Sequence, residues 1–192
     1  MTLNKLIILG VLFILLVVLV VIYVKTGGKE KTEQTPLSLP PEITQPTEEQ
    51  REKRKVMLFY LSEKDALLHP EEREIFASDS VVLEARQTVE ELLKESQGGY
   101  VSAIPPHTKL RELFLTRRGV AYVDFSKDFQ VGHPSGSTAE ILTIYSIVNS
   151  LTYNFNSIKQ VFILIEGAER ETLGGHVNLS KPFLPQYSLI AK

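Results

Sequence analysis

The chain has 192 residues, with 23 Asp and Glu against 21 Lys and Arg, a formal charge of −2 and no cysteine. The missing cysteine excludes disulfide staples, thiolate-bound zinc and thiol chemistry. The near-balanced, scattered charge gives no basic footprint for nucleic acid. The length allows one soluble domain of ordinary size, large enough to close a single core.

After a short tail at 1–5, residues 6–24 (LIILGVLFILLVVLVVIYV) run without a charge or a proline. As a helix rising about 1.5 Å per residue they reach roughly 28 Å, close to the hydrocarbon thickness of a bilayer. One transmembrane helix is predicted. A cleaved secretory signal has a shorter apolar core and ends in small residues, whereas this run continues through Ile22, Tyr23 and Val24 to Lys25, so a retained anchor is the favoured reading. Flanking Lys residues stand on both sides and leave the charge rule undecided. A five-residue amino-terminal tail and a long carboxy-terminal domain place the domain outside the cytoplasmic membrane as the working expectation.

Residues 25–54 are rich in Thr, Pro, Glu, Gln and Lys, with too few large apolar groups to offset the entropy of ordering them. They are read as a disordered linker holding the domain roughly 30 Å from the membrane. It serves either as a spacer with a reach to fulfil or as plain separation.

The folded domain is predicted over 55–184, with a tail at 185–192. VMLFYL at 56–61 is a continuous apolar run of strand length, read as a strand covered on one face near a sheet centre. Glu63, Lys64 and Asp65 break it, and a short edge strand is placed at 73–77. Asp79 or Ser80 caps a helix whose Val81, Val82, Ala85, Val89, Leu92 and Leu93 share one face. Gly98 and Gly99 are read as its end.

After Pro105 and Pro106, residues 109–115 and 120–125 form a predicted hairpin around Arg117, Arg118 and Gly119. A second helix follows over 138–153, with Ser137 and Glu140 spaced as a capping box. Ile141, Leu142, Tyr145, Val148, Asn149 and Thr152 form its inward face. The last long strand is 158–165, closed by a turn at 166–169, with a brief return strand at 170–173. Two one-sided helices and a sheet with one apolar face pack in two layers. The expected fold is an α+β two-layer sandwich: a mixed sheet with two helices on one face, in β-α-β-β-α-β order. The sheet's open face or an edge strand is left for a partner.

The blocks VEELLKES, VSAIPPHTKL, GVAYVDFSKDF, STAEILTIYSIVNSLT, IKQVFILIEG and ETLGGHVNLSKPF occur in that order. Together they resemble the GerMN domain of sporulation and spore-germination proteins, over residues 56–183. The resemblance implies a single extracytoplasmic module, a fold similar to the ring-building modules of secretion-like assemblies, and an assembly or packing role without catalysis.

Among individual residues, His176 after Gly174 and Gly175 is the sharpest candidate, because paired glycines allow backbone angles that present an imidazole in a fixed place. A structural turn is the favoured reading, since a lone His lacks the companions of a metal or nucleophilic site. His69, His107 and His133 lie in or near proline-containing loops and are expected at exposed positions. Asp124, Phe125, Ser126 and Asp128 in VDFSKDF place two carboxylates close in sequence. Backbone binding by Asp124 or Ser126 at a strand end is favoured over acid and base chemistry. Ser135 and Ser137 do not fit a nucleophile elbow. Tyr145, Tyr153 and Phe155 are read as core or rim, with an aromatic partner patch as the minority reading.

The resulting expectation is a membrane-anchored, extracytoplasmic, non-enzymatic interaction domain. It would bind an envelope protein or wall component, or self-associate, with no cofactor, metal or nucleic acid. A peptidoglycan hydrolase or accessory of wall remodelling is the alternative.

Overall fold

The computed structural model describes residues 14–23, 25, 52–134 and 136–192. Residues 14–23 are helical. The rest of the 6–24 stretch and nearly all of the 25–54 linker lie outside the described residues, but the linker's last two residues, Lys53 and Arg54, are ordered as strand against Phe76 and Ile75 and not disordered as expected. Among the described residues no helix is long and apolar enough to cross a membrane.

Two sheets and two principal helices build the α+β domain. Strands β1 (Lys53–Ser62) and β2 (Leu67–Phe76) form an antiparallel ribbon, joined by a turn in which Ala66 takes φ 55°. The second sheet has the order β3-β4-β5: β3 (Leu110–Leu115) is antiparallel to β4 (Val120–Phe125), and β4 is parallel to β5 (Gln160–Ile165). Gly119, at φ 82°, turns the β3–β4 hairpin. A parallel pair needs a crossover, and here it consists of α2 (Asp128–Val131) and α3 (Ser137–Asn154). Helix α1 (Val81–Leu92) connects the two sheets, its start capped by the Ser80 hydroxyl accepting from the Leu83 N–H.

One core joins all of these. Leu113, Ala121, Val123, Phe125, Ile163 and Ile165 from the inner face of the second sheet meet Ala85, Val89 and Leu92 of α1. Ile144, Ile147 and Leu151 of α3 enter the same cluster, as do Val56, Leu58 and Tyr60 of the ribbon. The two helices thus share one face of the three-stranded sheet.

Several expectations are corrected. The 56–61 strand is not central, since it pairs only with β2. Its unbroken apolar run reflects burial on both faces: Val56, Leu58 and Tyr60 enter the main core, while Phe59 joins a smaller cluster with Leu68 and Leu142. The edge strand placed at 73–77 is a full ten-residue strand, Leu67–Phe76, whose charged outer positions hid its length. Helix α1 ends at Leu92, well before Gly98 and Gly99, because Glu71 captures the chain that follows. Its carboxylate accepts from the Ser96 hydroxyl and from the Gln97 and Gly98 N–H groups. No return strand forms at 170–173; only isolated bridges occur there and at 165–168.

Helix α3 also departs from a one-sided pattern. Ser146, Asn149 and Ser150 are buried beside its leucines and isoleucines. Small polar side chains here serve neighbouring backbone: Ser150 accepts from the Phe59 N–H, and Asn154 both accepts from the Met57 N–H and donates to the Met57 carbonyl. The outer edge of β1 is thereby satisfied, and Val101 completes it by exchanging two bonds with Leu61. An edge that would template another strand is closed from within. At the carboxy terminus, Asn149 clamps the Gln186 backbone, and the Ala191 N–H reaches the Leu68 carbonyl.

Candidate functional site

The GGH motif is organised by a residue that the sequence pattern places elsewhere. Glu140 does not close a capping box: the N-cap of α3 is Gly136, with no side-chain cap bond. Its carboxylate is instead fully buried. It accepts from the Val177 N–H at 2.9 Å, the His176 N–H at 3.3 Å and His176 Nδ1 at 2.7 Å. Burial pushes this carboxyl up. The Val177 N–H, the His176 imidazole and the Gly174 and His176 N–H groups outweigh that effect and hold it down at about 2.

The two glycines follow from this geometry. A Cβ on Gly174 would lie 2.8 Å from Glu140 Oε1, and Gly175 sits at φ 104°. Only glycine lets the chain wrap so closely around a carboxylate at that angle. Half of the His176 side chain remains exposed while its Nδ1 is engaged with Glu140.

Asp124, Phe125 and Ser126 lie at the end of β4. The buried Asp124 accepts from the Gly167 N–H at 2.8 Å and pairs with Arg111 Nε at 3.2 Å. Arg111 also pairs with Glu166, whose other oxygen accepts from the Lys127 N–H at 2.8 Å. The Lys127 N–H and the Arg111 guanidinium lower the Glu166 carboxyl against its partial burial. Ser126 accepts from the Lys109 N–H and donates to Asp128. Phe125 is buried and stacked on Phe129 at 4.6 Å. This cluster ties together the ends of three strands.

The two groups remain separate: no hydrogen bond or ion pair among the described residues joins them. Gln130 of α2 lies between, donating to the Thr172 and Leu173 carbonyls and holding the segment that leads into GGH. Sequence reasoning missed Glu140, Arg111, Glu166 and Gln130 as parts of these clusters. The E of STAE was the one visible signal, and its spacing fits a capping box equally well.

The remaining candidates are dispersed. His69 is part-buried, bonded to Asp65 and stacked on Tyr100 at 4.9 Å. His133 contacts the Pro134 carbonyl and Thr143. His107 takes φ 67° beside an open groove of about 530 Å³ that also exposes Tyr100, Val101 and Pro106. Tyr145 packs edge-to-face on Phe183, Phe155 lies under the Arg54 guanidinium, and Tyr153 stays half-exposed between Phe59 and Tyr187. Ser137 is the first residue of α3, and Ser135 lies outside the described residues. No group of three or more His, Asp or Glu among the described residues is arranged to hold a metal.

A family model described as Germane, sporulation and spore germination, matches residues 57–171. Among solved structures, the chain is similar to a putative lipoprotein from Clostridium perfringens, at 25% identity, covering 69% of this chain and 87% of that one with a TM-score of 0.50. It is also similar to the tandem GerMN domains of the sporulation protein GerM from Bacillus subtilis, at 20% identity, covering 71% and 48% with a TM-score of 0.53. The first of those GerMN domains alone gives 19% identity, 69% and 98% coverage and a TM-score of 0.53. At those identities the two GerM structures establish the fold. Among curated proteins no match was found.

Proposed function

The chain belongs to the Germane family of sporulation and spore germination, and we propose that it acts as a membrane-anchored, extracytoplasmic interaction domain without catalytic activity. It binds an envelope protein or cell-wall component, or assembles with copies of itself. The 6–24 stretch is the anchor and 25–52 the tether. The resemblance to a putative lipoprotein supports placement at the envelope.

One observation carries the non-catalytic reading. The carboxylates that would serve a hydrolase are engaged by the fold, Glu140 beneath the 174–177 loop and Asp124 by the Gly167 N–H and Arg111. Among the described residues the half-exposed His176 imidazole is bonded to no nucleophile, its side-chain partner being Glu140. A general base must reach a substrate proton and a nucleophile must reach its base. Here Glu140 is sealed beneath the loop it holds.

Light scattering of residues 46–192 over a range of concentrations, paired with cross-linking of the full chain in envelope membranes, tests the proposal. Concentration-dependent assembly or a specific cross-linked envelope partner is the expected result. Turnover of labelled peptidoglycan that vanishes in His176→Ala, with the fold intact, would replace this reading with the hydrolase one.

A further inference from the structure

At the end of the second sheet opposite the Asp124 cluster, the segments that meet carry charges of one sign. Three segments meet there: the β3–β4 hairpin, the approach to β5, and the stretch after Lys181, whose Phe183 exchanges two backbone bonds with Val161. Residues 113–123, 155–165 and 180–192 contain no Asp or Glu, in a chain that has 23. Arg117, Arg118 and Lys159 are exposed at this end, and Lys159 lies against Gly119 of the hairpin, its N–H bonded to the Gly119 carbonyl. Among the described residues none of these three side chains has an ion-pair or hydrogen-bond partner.

The apolar neighbours are equally unusual. Phe114, Tyr122 and Phe162 stand in register across β3, β4 and β5 on the face turned away from the core, and the Tyr122 and Phe162 rings stack at 5.1 Å. Phe114 is 56% exposed. Leu184, 61% exposed, follows Phe183 at the β5 edge, where Phe183 itself turns inward onto Tyr145.

We propose that this face docks on an anionic lipid bilayer surface, with Arg117, Arg118 and Lys159 at the headgroups and Phe114 and Leu184 entering the interface. Charge complementarity selects an anionic partner. The exposed apolar pair selects lipid over a soluble polyanion, which would neutralise the cations and leave Phe114 and Leu184 in water. Cations at an anionic surface each contribute about fivefold to binding. The proposal rests on the anchored reading only for the high local concentration that a tether provides.

The native chain has no cysteine, so Ser157→Cys gives a single site for a nitroxide beside the hairpin tip. The full chain carrying it is placed in nanodiscs of phosphatidylglycerol or phosphatidylcholine, and accessibility to a water-soluble relaxation agent is measured. Docking predicts lower accessibility in the anionic discs. In the Arg117→Glu/Arg118→Glu chain it returns to the phosphatidylcholine value, through a loss on the order of a hundredfold in the docking equilibrium. Phe114→Ser should weaken docking with the charges intact. Equal accessibility in the two lipids overturns the proposal, as does protection that survives the charge reversal. Protection reproduced by soluble polyphosphate without lipid also overturns it and assigns the cations to a phosphate polymer. A chain that fails to enter the discs overturns the anchor reading alone, and adding that chain to phosphatidylglycerol vesicles decides the surface by the same measurement.

Discussion

Replacing Glu140 by Gln keeps the shape of the side chain and removes its charge, which isolates what the buried carboxylate does for the 174–177 loop. In the fold this group titrates at about 2 against an ordinary 4.5. Each pH unit between those two values corresponds to about 1.36 kcal/mol, so the fold favours the charged form by about 3 kcal/mol relative to the neutral one. Gln also turns an NH₂ toward donors that now reach Glu140, the Val177 N–H at 2.9 Å or His176 Nδ1 at 2.7 Å, leaving a buried donor unmet. Urea unfolding of residues 46–192, followed by circular dichroism near neutral pH, should therefore show Glu140→Gln less stable by about 3 kcal/mol. The folded value lies below the unfolded one, so the stabilisation is complete above 4.5 and is lost as pH falls toward 2. The gap between the two proteins should close over that window. Equal stability at neutral pH, or a gap unchanged in acid, would refute the account of the clasp. Gly174→Ala supplies a second arm: its Cβ meets Glu140 Oε1 at 2.8 Å, so its cost should fall when Glu140 is also Ala, a non-additivity read from a double-mutant cycle.

Other outcomes follow from the same geometry. Gly119→Ala forces a Cβ to 2.9 Å from the Ser157 carbonyl at φ 82° and should cost about 2 kcal/mol in the same unfolding assay. Asn154→Ala strips both bonds from Met57, so hydrogen exchange at the Met57 amide should speed up while stability drops by about 1–3 kcal/mol. Burial raises the Tyr60 hydroxyl from 10.0 to about 12. Spectroscopic titration should find a late tyrosine, with its stabilisation fully present below 10 and lost as pH rises from there through about 12. Tyr60→Phe should remove this alkaline loss.

Much was legible along the chain because local physics wrote it there. The Ser80 cap, the β3–β4 hairpin around Gly119 and the alternation of β4 depend on residues a few positions apart, and each appears where its pattern places it. The resemblance to GerMN domains was likewise carried by ordered blocks of residues. Sequence could also indicate that GGH was a turn, since two glycines before a histidine are conformationally cheap only in such places.

Tertiary structure decided what those elements meet. Periodicity reports which side of a strand or helix is apolar but not how many sides are covered, so 56–61 read as a sheet centre when it is a ribbon strand buried on both faces. Ser146 and Ser150 fall off the face that periodicity selects for α3, yet both are buried, and Ser150 accepts from the Phe59 N–H of β1, while Asn149 on that face clamps the Gln186 backbone. Glu140 makes the same point at the candidate site. At four residues' range it resembles half of a capping box, and only the return of the chain 36 residues later, bringing the His176 imidazole and N–H to its oxygens, makes it the buried anchor of the loop. A carboxylate's role depends on which donors reach it, and those donors are placed by the closure of the whole chain.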